Sequence, residues 1–426
     1  MQYNKWTLGL AAIGAISLGS VAHADESTPV MTAVSSTTLS GYVDTSAQWN
    51  FGTGNGHAPG YKYGGVNKAD GFNLNAVQVV LEKPLDDKEW AAGYKVDMMF
   101  GPDANVLNTI STSSLGAASD FALKQAYVAL RAPVGNGIDI KLGVFDSVIG
   151  YESTESVKDP NFTRSWAHTF EPSTHTGILA SYRVNSVISF SAGVADTYGP
   201  SINQRANSYT SLDGDSPAES SKTYLGSISL TVPDGSGFLS GSSLYGGIVN
   251  GFNSNIDHLT GATGFPAYAI QTSYYVGATI ATPVTGLRFG AAYDYAGVSD
   301  QALTAHFPDP SGYFNAVSAY LSYQLTEKLS IHERAEYATL SRKIAEDLDD
   351  STFSSFGGIA AKNLAITTTL QYDLWKNVIT RAEFRWDHDL VGSHAFGGTD
   401  ALAPADSPNG TRDNSFELIG SVAYKF

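Results

Sequence analysis

From Leu39 the chain alternates for about 13 residues, with Leu39, Gly41, Val43, Thr45, Ala47, Trp49 and Phe51 on one face and Ser40, Tyr42, Asp44, Ser46, Gln48 and Asn50 on the other. A period of two is that of a β-strand, whose successive side chains point to opposite faces. Globular strands average about 5 to 6 residues, whereas a tilted strand crossing a bilayer needs about 9 to 11. Length therefore favours a membrane strand, and the pattern recurs. Further strands are predicted near 72–83, 90–101, 121–132, 138–146, 174–185, 187–197, 223–232, 243–252, 268–281, 287–298, 313–325, 329–341, 363–374, 378–389 and 415–426. With the first they make about sixteen, an even number as in single-chain bacterial barrels.

The connections alternate between two classes. Short ones fall near 84–89, 133–137, 185–186, 233–242, 283–286, 326–328 and 375–377, and long ones near 52–71, 102–120, 147–173, 198–222, 253–267, 299–312, 342–362 and 390–414. Short turns on one rim and long loops on the other are the outer-membrane arrangement, the turns facing the periplasm. A soluble sandwich has no reason to segregate them. The fold class expected is thus all-β, a transmembrane antiparallel β-barrel with short periplasmic turns and long extracellular loops.

Composition agrees. Of 426 residues 15% are charged, against about 25% in soluble domains, while 42% are apolar, 12% aromatic and 43 are glycine. Such apolar content excludes a disordered chain. The lack of repeated apolar runs of about 20 residues excludes a polytopic helical membrane protein. Residues 1–24 read as a signal peptide, with Lys5 in the n-region, Leu8 to Val21 as the apolar core and Ala22-His23-Ala24 before the cleavage point. Export by the Sec pathway is the expectation, with 25–38 a short periplasmic segment and 39–426 the barrel. With no cysteine, no disulfide holds the exported chain. Without Lys5 the chain has 24 basic and 41 acidic residues, a formal charge of -17, which disfavours a nucleic-acid partner.

If one strand face meets lipid, charges should gather on the other. Over 378–389, Arg381, Glu383, Arg385 and Asp387 share a face, opposite Thr380, Ala382, Phe384 and Trp386. Over 329–341, Arg334 and Glu336 oppose Ile331, Ala335 and Tyr337, and Glu333 breaks the pattern. Arg131, Lys141, Arg183 and Arg288 also fall on inner faces. Two readings are open: a charge ladder along a water-filled pore, or cross-wall pairs that satisfy one another. The third long loop, 147–173, carries Glu152, Glu155, Asp159, Arg164 and Glu171. Folded into the lumen it would narrow the pore and set selectivity, and left outside it would be a surface loop.

Aromatics near strand ends suggest two interfacial girdles, with Trp49, Phe51, Phe72, Phe100 and Trp386 on the loop side and Trp90, Tyr424 and Phe426 on the turn side. The chain ends on an alternating strand at Phe426, as outer-membrane barrels do for their assembly machinery. Enzyme motifs are weak. Gly52-Thr53-Gly54-Asn55-Gly56 lacks the Lys-Ser/Thr of a phosphate loop, and His332-Glu333 lacks the second His of a zinc helix. The acidic run Glu346-Asp347-Leu348-Asp349-Asp350 reads as a solvated loop or a surface cation site beside lipopolysaccharide. No cofactor or metal is expected.

Several stretches in order resemble the β-barrel porins described as OmpL-like: Gly150-Tyr151-Glu152, Asn161-Phe162-Thr163-Arg164-Ser165, Pro172-Ser173-Thr174-His175-Thr176-Gly177, Phe72-Asn73-Leu74-Asn75 leading to Leu81-Glu82-Lys83-Pro84-Leu85, Gln125-Ala126-Tyr127-Val128, Arg334-Ala335-Glu336-Tyr337 and Arg381 to Asp387. The resemblance spans the mature chain. It implies an outer-membrane porin, a third loop dipping into the pore opposite a basic wall cluster, and a homotrimer. The expected function is passive diffusion of small hydrophilic solutes and ions. The alternatives are a sugar-selective channel, for which Tyr127 and Tyr320 are the candidate inward aromatics, and a non-conducting adhesin or structural barrel.

Overall fold

A computed structural model describes residues 36–52, 54–107, 109, 119–205, 221–252, 270–299, 312–341, 359–398 and 410–426. The signal peptide expected over 1–24, most of the segment before the first strand and the acidic run 346–350 lie outside the described residues. Sixteen strands follow in order: β1 Thr38–Asn50, β2 Gly71–Lys83, β3 Ala92–Phe100, β4 Phe121–Ala132, β5 Ile138–Asp146, β6 Thr174–Arg183, β7 Ile188–Ala195, β8 Thr223–Thr231, β9 Ser243–Phe252, β10 Ile270–Ala281, β11 Leu287–Ser299, β12 Gly312–Gln324, β13 Leu329–Leu340, β14 Lys362–Trp375, β15 Val378–Asp389 and β16 Asn414–Lys425. Among the described residues there are two short α-helices, α1 Pro102–Leu107 and α2 Trp166–Phe170.

Every strand pairs antiparallel with its sequence neighbours, and β1 pairs with β16, so the sheet closes into a barrel. At the seam Tyr42 lies opposite Lys425 and Asn50 opposite Glu417. Gly41 and Phe426 exchange both backbone hydrogen bonds there, at 2.9 and 3.0 Å. Closure satisfies the edges that lipid could not. The third strand starts at Ala92 instead of 90 because Trp90 sits in the left-handed region, φ 59°, in the preceding turn.

Alternation decides which face is wet. Trp49, Leu74, Val128, Leu142, Ile178, Val276, Val317, Leu370 and Leu418 are exposed on the outside. Water could not tolerate so continuous an apolar belt, but a bilayer requires it. Phe72 and Trp90, two of the aromatics expected in girdles, are among the most exposed of these side chains. Of three register shifts among the described strands, two turn neighbouring residues to the same inner face. One, between β1 and β2, turns both Asn75 and Ala76 inward. The other, between β3 and β4, does the same for Lys124 and Gln125. Glu333 faces outward, where its carboxylate accepts a hydrogen bond from Thr368 Oγ1 at 2.7 Å.

Candidate functional site: the third loop inside the barrel

The connection 147–173 enters the lumen and meets the wall on several sides. Its first limb is apolar. Val148, Ile149 and Tyr151 join one buried cluster with Leu225, Tyr245, Val249, Tyr275 and Tyr320. Tyr151 stacks on Tyr320 with ring centroids 4.2 Å apart, and its hydroxyl lies 3.2 Å from Thr279 Oγ1. The wall is thinned where this limb docks. A Cβ on Gly247 would meet Ile149 Cγ2 at 2.6 Å, and one on Gly290 would strike the Tyr151 hydroxyl, so only glycine leaves room at either place.

The middle of the loop crosses to the strands around the seam. Ser156 donates to Asp44 on β1 at 2.5 Å, and Gln78 on β2 donates to Glu155 at 3.2 Å. Lys124 on β4 is a hub, with ion pairs to Asp146 at 2.8 Å, Glu155 at 3.2 Å and Asp97 at 3.8 Å. Burial alone would raise the Glu155 pKa, but the Lys124 and Lys158 ammonium groups hold it well below the usual carboxylate range. Arg164 braces the loop internally, donating to the carbonyls of Ser153, Phe162 and Thr154 at 2.5 to 2.8 Å, with Asp159 at 3.2 Å.

The arch 161–165 docks on the charged wall. Glu383 accepts from Phe162 N at 2.5 Å, Thr163 N at 2.9 Å and Thr163 Oγ1 at 2.6 Å. Arg334 donates to Glu336 at 2.7 Å, Glu152 at 2.9 Å and the Thr163 carbonyl at 2.6 Å. Arg381 donates to the carbonyls of Ser156 and Asp159, and Arg385 to that of Arg164 and to Asp387. Asp387 also accepts from Trp166 Nε1 at 2.7 Å. Arg334, Glu383, Arg385 and Asp387 retain at most 1% of their surface and Arg381 6%. The ladder thus stands on one inner face, but its members grip loop 147–173 and are dehydrated by it. Extended backbone carbonyls and a planar guanidinium fork suit one another, which explains arginine at these positions.

At the loop's far end α2 is capped by Ser165, whose Oγ accepts from His168 N at 3.2 Å. Burial lowers the His168 pKa well below its ordinary value, and burial followed by the neighbouring Asp294 raises that of Glu171 well above its own. Lys62 of the first loop donates to Ser173 Oγ, and burial brings its pKa down to about 8. Arg131 stands apart, near the turn rim, with Asp139 at 2.6 Å and Asp87 at 3.3 Å.

Lys124, Glu417 and Tyr61 also belong to the site, although the sequence pattern does not single them out. Lys124 is brought inward by a bulge that strict alternation does not foresee. Glu417 was visible on the inner face of the last strand; it accepts from Tyr61 at 2.8 Å and Asn50 at 3.0 Å. Tyr61 comes from a loop without period, and its ring lies 3.9 Å below the Arg385 guanidinium.

A closed sixteen-stranded barrel, apolar outside, charged within and crossed by its third long loop, defines an outer-membrane porin. The chain belongs to the family described as Putative beta-barrel porin-2, OmpL-like, which matches residues 36–426. Similar solved structures include the outer membrane channel DcaP of Acinetobacter baumannii (12% identity, 92% of this chain and 97% of that one, TM-score 0.55). The anion-selective porin from Comamonas acidovorans is similar too (10%, 92% and 99%, 0.57), as is Salmonella typhi OmpF in its complex with daunomycin (14%, 92% and 97%, 0.55). No curated protein sequence matches.

Proposed function

We propose that the barrel conducts small hydrophilic solutes and ions passively, with no chemical step, and that loop 147–173 sets the constriction. The observation that carries this reading is the docking of one continuous loop on opposite inner walls, by Tyr151 at Thr279 on β10 and by Glu155 at Gln78 on β2, eight strands away in the ring of sixteen. A loop so held divides the lumen into a vestibule on each side, and solute size is read at its margin. Sec-dependent export, insertion through the C-terminal strand and assembly as a homotrimer among outer-membrane lipid and lipopolysaccharide belong to the same proposal. A sugar slide is less well supported, because of its two candidate aromatics Tyr320 is stacked under Tyr151 of the loop and Tyr127 is buried in the same cluster, so they form no continuous wet track.

The test is the purified chain in a planar bilayer. Discrete ohmic steps of low conductance are expected. A tight seal at every voltage would overturn the channel reading and favour a structural barrel.

A further inference from the structure

The arginines of the charged wall are committed to the loop, so they cannot also meet a solute. The inward bases that remain partly wet on the turn side of the loop include Lys95 on β3 and Lys141 on β5. Both flank Tyr127 of β4. Lys95 is its direct cross-strand partner, and the Lys141 ammonium lies 4.9 Å from the centre of its ring. Directly opposed side chains on neighbouring strands sit about 5 Å apart at Cβ, so three adjacent strands bring two cations and one aromatic face together. Among the described residues neither ammonium forms an ion pair, although Glu82 stands opposite Lys95 on β2. Lys124 and Arg131 on the same wall are both paired.

We propose that Lys95 and Lys141 form an anion-recognition subsite in the turn-side vestibule, taking small inorganic anions and carboxylates as they approach the constriction. Tyr127 is a positioning residue, its ring holding the Lys141 ammonium toward the lumen through the cation–π attraction. The acidic sum of the whole chain does not oppose this, since a pore's preference follows its lining and not its total charge.

The inference rests on the channel reading, so the experiment separates the two. In a potassium chloride gradient across a planar bilayer, the reversal potential of the full mature chain should show chloride preference. Lys95→Gln with Lys141→Gln should move that preference several-fold toward potassium, and Tyr127→Leu should move it by less. Arg131→Gln should leave it in place. Both lysines are partly exposed, so glutamine keeps the barrel intact. Conductance steps with an unchanged reversal potential in the double variant would overturn the subsite and leave the channel standing. Sealed bilayers would overturn the channel, and chloride-35 line broadening by the detergent-folded chain would then judge the subsite alone. Broadening reduced in the double variant supports it, and equal broadening overturns it.

Discussion

Two parts of one loop are held by different physics. The limb Val148 to Tyr151 lies in aromatic and aliphatic surroundings with glycines beneath it, whereas the arch 161–165 is bound through charged groups that its own docking has dehydrated. Apolar burial is forgiving, because removing part of it leaves nothing unsatisfied. A buried charge network is unforgiving, because losing one member leaves its partners charged and dry. The arch should therefore be the part that fixes the loop in one place, and the limb the part that can slip.

Breaking the arch gives the largest effect. Arg334→Ala strands Glu152 and Glu336, both buried, and removes the donor to the Thr163 carbonyl. Breaking a buried pair this way costs roughly 3–5 kcal/mol. The loop should leave the wall while the hydrogen-bonded barrel persists. Single-channel conductance is expected to rise several-fold, and protease to cut within 147–173, with heat-modifiable migration on a denaturing gel retained. Wild-type conductance and resistance to cleavage would show that the limb alone holds the loop.

The same contrast explains what could be read from the sequence. Strand alternation and the segregation of loop lengths placed all sixteen strands near their observed bounds, because each strand must separate lipid from lumen on its own. Arg334, Arg381 and Arg385 were legible as inward charges for the same reason. Of their partners, the acids Glu152, Glu336 and Asp387 were legible too, but Ser156, Asp159 and Thr163 were not, since they meet the arginines through backbone carbonyls that any residue supplies. Nor could Gly247 and Gly290 be recognised as docking hollows, because a strand glycine carries no mark of what approaches it. Lys124 was lost to a bulge. Periodicity reports the wall, while long-range contacts decide what the wall holds.

Acidity should act at the loop's far end. Glu171 is confronted by Asp294 on β11, by His168 with its Nδ1 at 3.1 Å, and by Lys62 of the first loop. Its carboxyl keeps a proton well above 4.5, first because it is buried and then because Asp294 stands beside it. An acid whose pKa is raised by folding stabilises the folded form fully below its ordinary value and loses that contribution as pH rises through the raised one. Each unit is worth about 1.4 kcal/mol. Docking of 166–173 should therefore weaken, and conductance increase, as pH climbs from 4.5. Lys62 works in the opposite sense above about 8, where its buried side chain becomes neutral. Glu171→Gln should flatten the acidic part of the conductance profile, and an unaltered profile would place its control elsewhere.

The smallest effect belongs to the apolar limb. Tyr151→Leu removes a stacked ring and one hydroxyl contact but keeps an apolar side chain over Tyr320, so the loss should be about 1 kcal/mol. That is too little to undock a loop whose arch is intact. Its expected signature is a local rise in amide hydrogen exchange over 148–151, with conductance changed by less than about twofold. Combined with Arg334→Ala, the same substitution should do more than the two singly, because the limb then carries the docked state alone and its 1 kcal/mol falls on an equilibrium already near balance. Strict additivity of the two changes in conductance would mean that limb and arch move independently, and that the loop is two hinged pieces with separate holds on the wall.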